Sequence, residues 1–382
     1  MRKLALLLGS LVVVASASAK EVVPAPVVVE EGPVQIAEKE VIVYRDKEEG
    51  FRPSGNVGME VRYFDRTEGQ KNELAKDGGW SGADGDKYSR LQVGGAVQLT
   101  ENQKFEFRTR DWHSLDASSS SSNKTEVRLR YSYNHGNLGD SKVNFTSWAE
   151  YKRAKNTDQS FDYQARFDFA EYLFNNDFVK TSTAIVAPRY KYTWKSNDDA
   201  YVNTLGLYVD IINQYPLGFG SEIEIDGASF NFYGQDQVTY KLDGTKNDSW
   251  NDDFTLSVKA IITQDTNLYS ADRLSIDWHS EGGFDTYNWN DKDSVAYGKF
   301  EEDLPVKVGS KDKLVTGYEK FEDTSYEAYF SSDVTATYQA TEFVNVFALA
   351  GAEYRNWAVS NASSATNWRW QPYVAAGFNV AF

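Results

Sequence analysis

The chain has 382 residues, a formal net charge of −16 and no cysteine, and 15% of its residues are aromatic while 25% are charged. This composition excludes a disulfide framework and thiolate chemistry, and its acidity opposes binding to the negative phosphates of nucleic acid. The aromatic content argues against a disordered chain. A helical membrane protein is excluded because no apolar run of about 20 residues follows Ala19.

The first residues, Met1–Ala19, have the pattern of a secretory signal peptide. Arg2 and Lys3 form a positive start, the apolar stretch Leu4–Val14 follows, and Ala17–Ala19 supplies the small residues of a cleavage site. An uncleaved membrane anchor is the alternative, but the apolar stretch is too short to span a bilayer. We therefore expect an exported protein whose signal peptide is removed.

An extension with three of the eight prolines, a run of valines and a charged patch at Glu38–Glu49 occupies residues 20–52. Pro24 and Pro26 favour extended backbone and oppose a helix, whereas a short helix and an extended strand both fit Gln35–Lys47. We expect this segment to lie in the periplasm, outside the main fold. That fold is predicted to occupy residues 53–382.

From residue 55 onward, apolar and polar residues alternate with a period of two. In Tyr88–Leu99, for example, Leu91, Val93 and Val97 alternate with polar residues such as Arg90. Strands with this pattern have one apolar face and one polar face. The same alternation recurs in segment after segment as far as the C-terminal residues.

The number and length of these segments predict an all-β protein, a transmembrane antiparallel β-barrel of about 14–16 strands. Two of the strands are expected within Gly283–Tyr318. Short connections such as Thr100–Gln103 and Ala340–Glu342 contrast with long polar ones, as they do at the two rims of an outer-membrane barrel. The long polar connections include Arg66–Lys87, Asp111–Lys124 and Asp243–Asp253.

A soluble β-sandwich is the alternative fold, because its strands also alternate. A sheet with this many strands would have to split or curl. The C-terminal residues favour the barrel, because Phe378, Val380 and Phe382 continue one apolar face that ends on an aromatic side chain. This ending resembles the signal that barrel-assembly machinery reads, so we expect these three residues to act in assembly.

Four segments carry a family resemblance: MRKLALLLGS, KEVVPAP, VIVYRD and YSRLQVGGAVQLTENQKFEFRTRDW. They resemble the major outer-membrane porins of fusobacteria, the FomA family, most clearly over residues 1–112 and in the C-terminal strand. The resemblance implies a voltage-sensitive general-diffusion porin that forms trimers, with some members also acting as surface adhesins. No catalytic residue and no ligand motif is carried over from it.

If the apolar faces contact lipid, the opposite faces line a water-filled pore. Basic residues concentrate on these faces in the early strands, and we expect them to form a basic wall that helps to set ion selectivity. We also hypothesise that an inward-folded acidic loop faces this wall. Solvated arginines that lie at different heights are the alternative. The candidate pore-lining residues are Arg90, Lys104, Glu106, Arg108, Arg110, Glu126, Arg128, Arg130, Asp162 and Arg166.

Tyrosine and tryptophan occur near many of the predicted strand ends. Their rings are apolar and their OH or NH groups are polar, which suits the boundary between hydrocarbon and headgroups. Ordinary packing within the strands is the alternative for each of them. The candidate girdle residues are Tyr131, Tyr133, Tyr151, Tyr190, Tyr192, Trp194, Tyr354, Trp357, Trp368 and Trp370.

The sequence contains no pattern typical of a catalytic or metal site. Its three histidines lack metal-ligand spacing, and Asp277 and His279 share a strand face from which Ser280 points away. We therefore expect no enzymatic activity, no cofactor and no metal.

The prediction that follows is a porin of the cell outer membrane, which passes small hydrophilic solutes and ions by diffusion. A surface adhesin that uses its long loops is the alternative. The expected partners are outer-membrane lipid, further copies of the chain in a homotrimer, the barrel-assembly machinery, and host or bacterial surface ligands. Nucleic acid is not among them.

Overall fold

The structure is a computed structural model. It describes residues 51–65, 88–114, 124–153, 158–195, 201–233, 253–290, 324–356 and 368–382, together with five short strands between residues 239 and 320. The chain divides into two units, Met1–Arg52 with Phe382 and Pro53–Ala381. The predicted signal peptide and almost all of the predicted extension lie outside the described residues.

Fourteen antiparallel strands form one closed barrel, and each pairs with its neighbours in chain order. The last strand pairs with the first, with Met59 opposite Phe378. Closure leaves no strand edge with unpaired backbone groups. The strands are β1 Ser54–Phe64, β2 Tyr88–Thr100, β3 Gln103–Ser114, β4 Lys124–Asn137, β5 Asn144–Arg153, β6 Asp158–Asp168, β7 Lys180–Lys195, β8 Tyr201–Gln214, β9 Phe219–Tyr233, β10 Asp253–Ala271, β11 Leu274–Asn290, β12 Thr324–Gln339, β13 Val344–Asn356 and β14 Trp368–Ala381.

The predicted antiparallel barrel is therefore confirmed, at the lower end of the expected strand number. The expectation of two further barrel strands within Gly283–Tyr318 is wrong. Its first residues complete β11, and the barrel resumes only at Thr324. The described strands between them have two or three residues each and belong to separate small sheets. A segment of that length is far shorter than the ~9–11 residues that cross a bilayer.

The barrel is apolar outside and polar inside. In β6, Phe161 and Tyr163 are 44% and 40% exposed, whereas the alternate residues Asp162 and Gln164 are 3% and 2% exposed. A water-soluble protein shows the reverse order, because charged residues are almost never buried without partners. The period-two pattern of the sequence thus becomes two surfaces, and the apolar one is the outer surface.

The connections differ between the two ends of the barrel. At one end, described turns join β2 to β3, β10 to β11 and β12 to β13, and the predicted short connections at Thr100–Gln103 and Ala340–Glu342 are among them. At the other end, most connecting residues lie outside the described part of the chain. The connection predicted at Asp111–Lys124 is shorter than expected, because β3 continues to Ser114 and β4 begins at Lys124.

The strand number also sets the width of the barrel. With fourteen strands, a strand spacing of ~4.8 Å and a tilt of ~40°, the backbone diameter is roughly 28 Å. Side chains fill the interior of a barrel of about eight strands, so this wider barrel leaves a lumen between its opposite walls. Within the part of the chain that the structure describes, no helix has the length and apolar character needed to cross a membrane.

Candidate functional site: the charged inner wall

Contacts between strands that are not neighbours identify the inner surface. The guanidinium of Arg166 on β6 lies 5.1 Å from the ring of Tyr208 on β8. The hydroxyl of Tyr373 on β14 donates to Asp333 on β12 at 3.0 Å. Side chains converge in this way on the concave side of a curved sheet, so these residues face the lumen.

All ten candidate pore-lining residues occupy inner-face positions of β2, β3, β4 and β6. In β3 the positions alternate, with Phe105 and Phe107 outside and Glu106 and Arg108 inside. Inner ion pairs connect several of the ten to each other or to a neighbouring strand. These pairs are Arg90–Glu60 at 2.7 Å, Lys104–Glu106 at 3.2 Å, Arg108–Glu126 at 2.7 Å and Arg130–Glu150 at 2.5 Å. A role for the ten residues in conduction stays a prediction.

Three of the candidate arginines have no carboxylate within ion-pair distance in the described part of the chain. Arg110 donates to the side-chain oxygen of Gln92 at 2.6 Å. Arg166 donates to Gln164 at 2.8 Å, and its guanidinium lies 4.1 Å from the ring centre of Trp148. Arg128 has neither a side-chain hydrogen bond nor an ion pair there. These three arginines therefore place positive charge on the wall without a direct ion pair among the described residues.

Asp162 is enclosed on the inner wall, because a buried arginine covers its carboxylate. Arg189 on β7 holds its carboxylate with two nitrogens, Nε at 2.9 Å and Nη2 at 2.6 Å. The same guanidinium donates through Nη1 to the Asp226 carboxylate on β9 at 3.0 Å and also to the backbone carbonyl of that residue. The three residues join β6, β7 and β9, so Asp162 belongs to a fixed cross-link within the wall.

The structure adds an acidic half of the wall that the sequence reasoning missed. Its charged side chains lie on β8 to β12, where Lys259 contacts Glu222 at 2.7 Å and Glu224 at 3.6 Å. Basic additions on the other half include Lys152 and Lys191. The acidic residues of these strands alternate with apolar residues, and this is the same pattern that indicated the inner face of β2 to β4 in the sequence. The acidic residues are Asp210, Glu222, Glu224, Asp226, Asp265, Asp277, Glu281 and Asp333.

The two halves face each other across the barrel. In the closed order of fourteen strands, strands β3 to β5, which carry inner arginines and Lys152, lie opposite β10 to β12, which carry Asp265, Asp277, Glu281 and Asp333. Fixed charges of opposite sign on facing walls create a field across the lumen, and such a field acts on permeating ions and dipolar solutes. The hypothesised acidic loop lies outside the described residues, but the strands themselves supply an acidic counterpart.

On the outer face, aromatic side chains cluster near the rims. Trp194 stacks on Tyr192 at 5.4 Å and lies 6.4 Å from Tyr151, between ring centres. Elsewhere, Tyr354 contacts the rings of Trp368 and Trp370 at 5.1 and 4.8 Å. Three other girdle candidates also lie on the outer face and are partly exposed: Tyr131, Tyr133 and Tyr190. Trp357 lies outside the described residues.

The predicted assembly residues and the histidine cluster also have defined positions. Phe378 and Val380 lie on the outer face of β14, opposite Met59 and Val57 of β1, and Phe382 is 47% exposed.

His279 contacts the carboxylates Asp265 and Glu281 at 2.7 and 3.6 Å. Among the described residues, no group of three or more His, Asp or Glu side chains forms a metal site.

No protein-family model matches the chain, and no curated protein sequence is significantly similar to it. Solved outer-membrane barrels resemble it at low identity. A bacterial polysaccharide outer membrane secretin is 10% identical with a TM-score of 0.40, and the match covers 86% of this chain and 98% of that one.

Two porin-type structures match over a similar length. The anion-selective porin from Comamonas acidovorans is 9% identical with a TM-score of 0.32, over 87% of this chain and 99% of its own. The outer membrane protein OpdK from Pseudomonas aeruginosa is 7% identical with a TM-score of 0.31, also over 87% and 99%. Likeness at this level concerns the barrel fold alone and carries no argument about function, and the fusobacterial resemblance stays a prediction.

Proposed function

We propose that the protein is an outer-membrane porin, which allows small hydrophilic solutes and ions to diffuse through its lumen. The observation that carries the proposal is the inverted distribution of residues on a closed barrel. Outer side chains such as Ile262, Leu205 and Phe230 are apolar and 50–63% exposed, while the inner wall is charged. An apolar outer surface suits lipid, and a charged lumen of this width suits water and ions.

The membrane location is supported by closure as well as by the outer surface. A spanning structure must satisfy every backbone polar group internally, and a barrel with no free edge does so. The aromatic clusters on the outer face suit the two boundaries between hydrocarbon and headgroups. We therefore place the barrel in the outer membrane, where barrels of this kind span the bilayer.

The proposal includes diffusion and no catalysis. His279 is held by carboxylates, and the neighbouring Ser280 lies on the opposite strand face, so no serine nucleophile adjoins this histidine within its strand. A homotrimer and insertion by the barrel-assembly machinery are further parts of the proposal. Adhesion through the long loops concerns residues outside the described part of the chain and stays a prediction of the sequence.

Planar bilayer recording on the refolded full chain tests the proposed function. We expect stepwise current increments that grow with the salt concentration, because each inserted lumen conducts ions. Detergent without protein, and chain that has not regained the circular dichroism of β-strands, serve as controls. Refolded barrel that inserts into lipid and yet gives no current would contradict the porin.

A further inference from the structure

The strand register brings three basic side chains side by side on the inner wall. Arg108 of β3 is directly opposite Arg128 of β4, and Arg128 is directly opposite Lys152 of β5. Directly opposed residues have Cβ atoms ~5 Å apart. The three side chains therefore form a row perpendicular to the strands, and we call it the cation row.

Such a row is unfavourable for the barrel itself, because like charges on directly opposed residues repel. Glu126 partly compensates it, at 2.7 Å from Arg108 and 4.0 Å from Lys152. Glu126 is also directly opposite a fourth cation, Arg110. One carboxylate thus stands among four positive charges.

The next carboxylates do not neutralise the row, because other cations hold them. Glu150 accepts a hydrogen bond from Arg130 at 2.5 Å, and Glu106 pairs with Lys104 at 3.2 Å. The guanidinium of Arg128 consequently has no ion-pair partner within the described residues. The row therefore keeps positive charge that can attract an anion from the lumen.

The wall beside the row is flat. The same perpendicular line continues to Gly94 of β2 and Gly58 of β1, which are opposite Arg108 and opposite each other. A Cβ at Gly94 would lie 3.6 Å from the Cγ of Arg108, so the arginine stem passes directly over the glycine. No side chain from these two glycines covers the row on that side, and the exposure within the row is greatest at its other end, where the Lys152 side chain is 41% exposed against 18% for Arg108.

We propose that the cation row is a binding subsite for divalent oxyanions of the inorganic phosphate or sulfate type. Guanidinium groups present a planar fork of donors that matches phosphate oxygens, and lysine adds a point charge. A divalent oxyanion has several acceptor oxygens and can bond to adjacent members of the row through different atoms, whereas chloride offers one acceptor atom and a single charge. This inference rests on the proposed function, because the lumen is the route by which the anion reaches the row.

Titration of the refolded full chain in detergent micelles with inorganic phosphate tests the subsite independently of conductance. The readout is the ³¹P NMR line width of phosphate at constant ionic strength, with chloride as the balancing anion. We expect saturable broadening in the wild type. Arg128→Gln should weaken phosphate binding by about tenfold or more, the effect of losing one hydrogen bond to a charged group.

Lys259→Gln is the matched control, because it removes the same charge from the acidic half of the barrel. We expect it to change phosphate binding less than about threefold, since its direct partners are Glu222 and Glu224 rather than the row. Lys152→Gln is a second variant of the row and should weaken binding in the same direction as Arg128→Gln. Circular dichroism of each variant verifies that its strands have formed.

Each outcome separates the subsite from the porin. Equal weakening by Arg128→Gln and Lys259→Gln would indicate a general effect of lumen charge and would overturn the subsite. A conducting wild type without saturable phosphate broadening also overturns it, while the porin stands. Saturable binding that depends on Arg128 and Lys152 in a protein without conductance upholds the subsite and removes the porin.

Discussion

At the scale of single residues, the charges of the inner wall fall into two groups. Arg189 and Asp162 are almost fully enclosed, with side chains 7% and 5% exposed, and they hold three strands together. Arg128 lies on the same wall without an ion pair in the described part of the chain, and Lys152 lies 4.0 Å from Glu126, a carboxylate that also pairs with Arg108. The first group therefore contributes to stability, and the second is available to act on what passes through.

The enclosed pair yields a prediction about stability. Asp162→Asn removes the buried negative charge that Arg189 contacts and leaves Asp226 as its carboxylate partner, and we expect it to lower the free energy of unfolding by about 3 kcal/mol. Urea unfolding followed by tryptophan fluorescence measures the change. Glu171→Gln is the control, because its ion pair with Lys142 is 3.9 Å long and exposed, so its effect should stay within about 0.5 kcal/mol. Similar midpoints for both variants would refute the cross-link.

The arginines of the cation row yield a prediction about selectivity. Replacement of both Arg108 and Arg128 by Gln removes two positive charges and leaves Glu126 without its closest partner. The reversal potential in a salt gradient should therefore shift toward cation selectivity. Arg273→Gln removes a charge from a turn outside the wall and should leave the reversal potential unchanged. An unshifted potential in the double variant would exclude the arginine wall from the mechanism.

At the scale of the strand, neighbouring residues face different media. On β8, Leu205 is outside and 50% exposed, while the adjacent Thr204 is inside and donates a hydrogen bond to Asn231 at 2.8 Å. Lipid excludes a charge, whereas a wet lumen accepts it. Leu205 and Thr204 are adjacent in the chain but lie on opposite faces of β8. The same substitution at each position therefore tests which face of the strand contacts lipid.

We expect Leu205→Arg to destabilise the inserted barrel by about 2 kcal/mol, the cost of arginine on a lipid face between midplane and boundary. Thr204→Arg should cost less, because water solvates the new charge. The fraction of each variant that folds into lipid vesicles, read from its altered gel mobility without heating, measures the difference. A larger loss for Thr204→Arg would mean that the faces are assigned the wrong way round.

At the scale of the whole barrel, the separation of charge is the main property. Basic residues dominate the inner face of β2 to β7, and acidic residues dominate β8 to β12. The net charge of the chain therefore does not predict the selectivity of the lumen. The electrostatic potential that an ion experiences depends on its distance from each wall.

This arrangement predicts a selectivity that depends on salt. The Debye length is about 10 Å at 0.1 M and about 3 Å at 1 M, so the fields of the two walls reach into the lumen only at low salt. With the same gradient ratio, the reversal potential should move toward that of free diffusion as the salt concentration rises. A reversal potential independent of salt would argue against fixed wall charges.

Much of this organisation was readable from local pattern. The faces of Phe105, Glu106 and Arg108 follow from alternation alone, because successive side chains of an extended strand point to opposite sides. The expectation failed at Gly283–Tyr318, where short alternating stretches resemble strands but lack the length to cross a membrane. It also missed the acidic half, although Glu222 and Glu224 alternate with Ile223 just as the arginines of β3 alternate with phenylalanine.

The sequence by itself thus determined the strand type, the two surfaces and the side on which each charge lies, since these depend on neighbours along the chain. Only the tertiary structure decided the strand number, the closure of β14 on β1, and the register that aligns Arg108, Arg128 and Lys152. Register depends on turns and on irregularities such as the one between Asn134 and Gly136. A shift of two residues would keep every face and still break the row, so alternation cannot predict it.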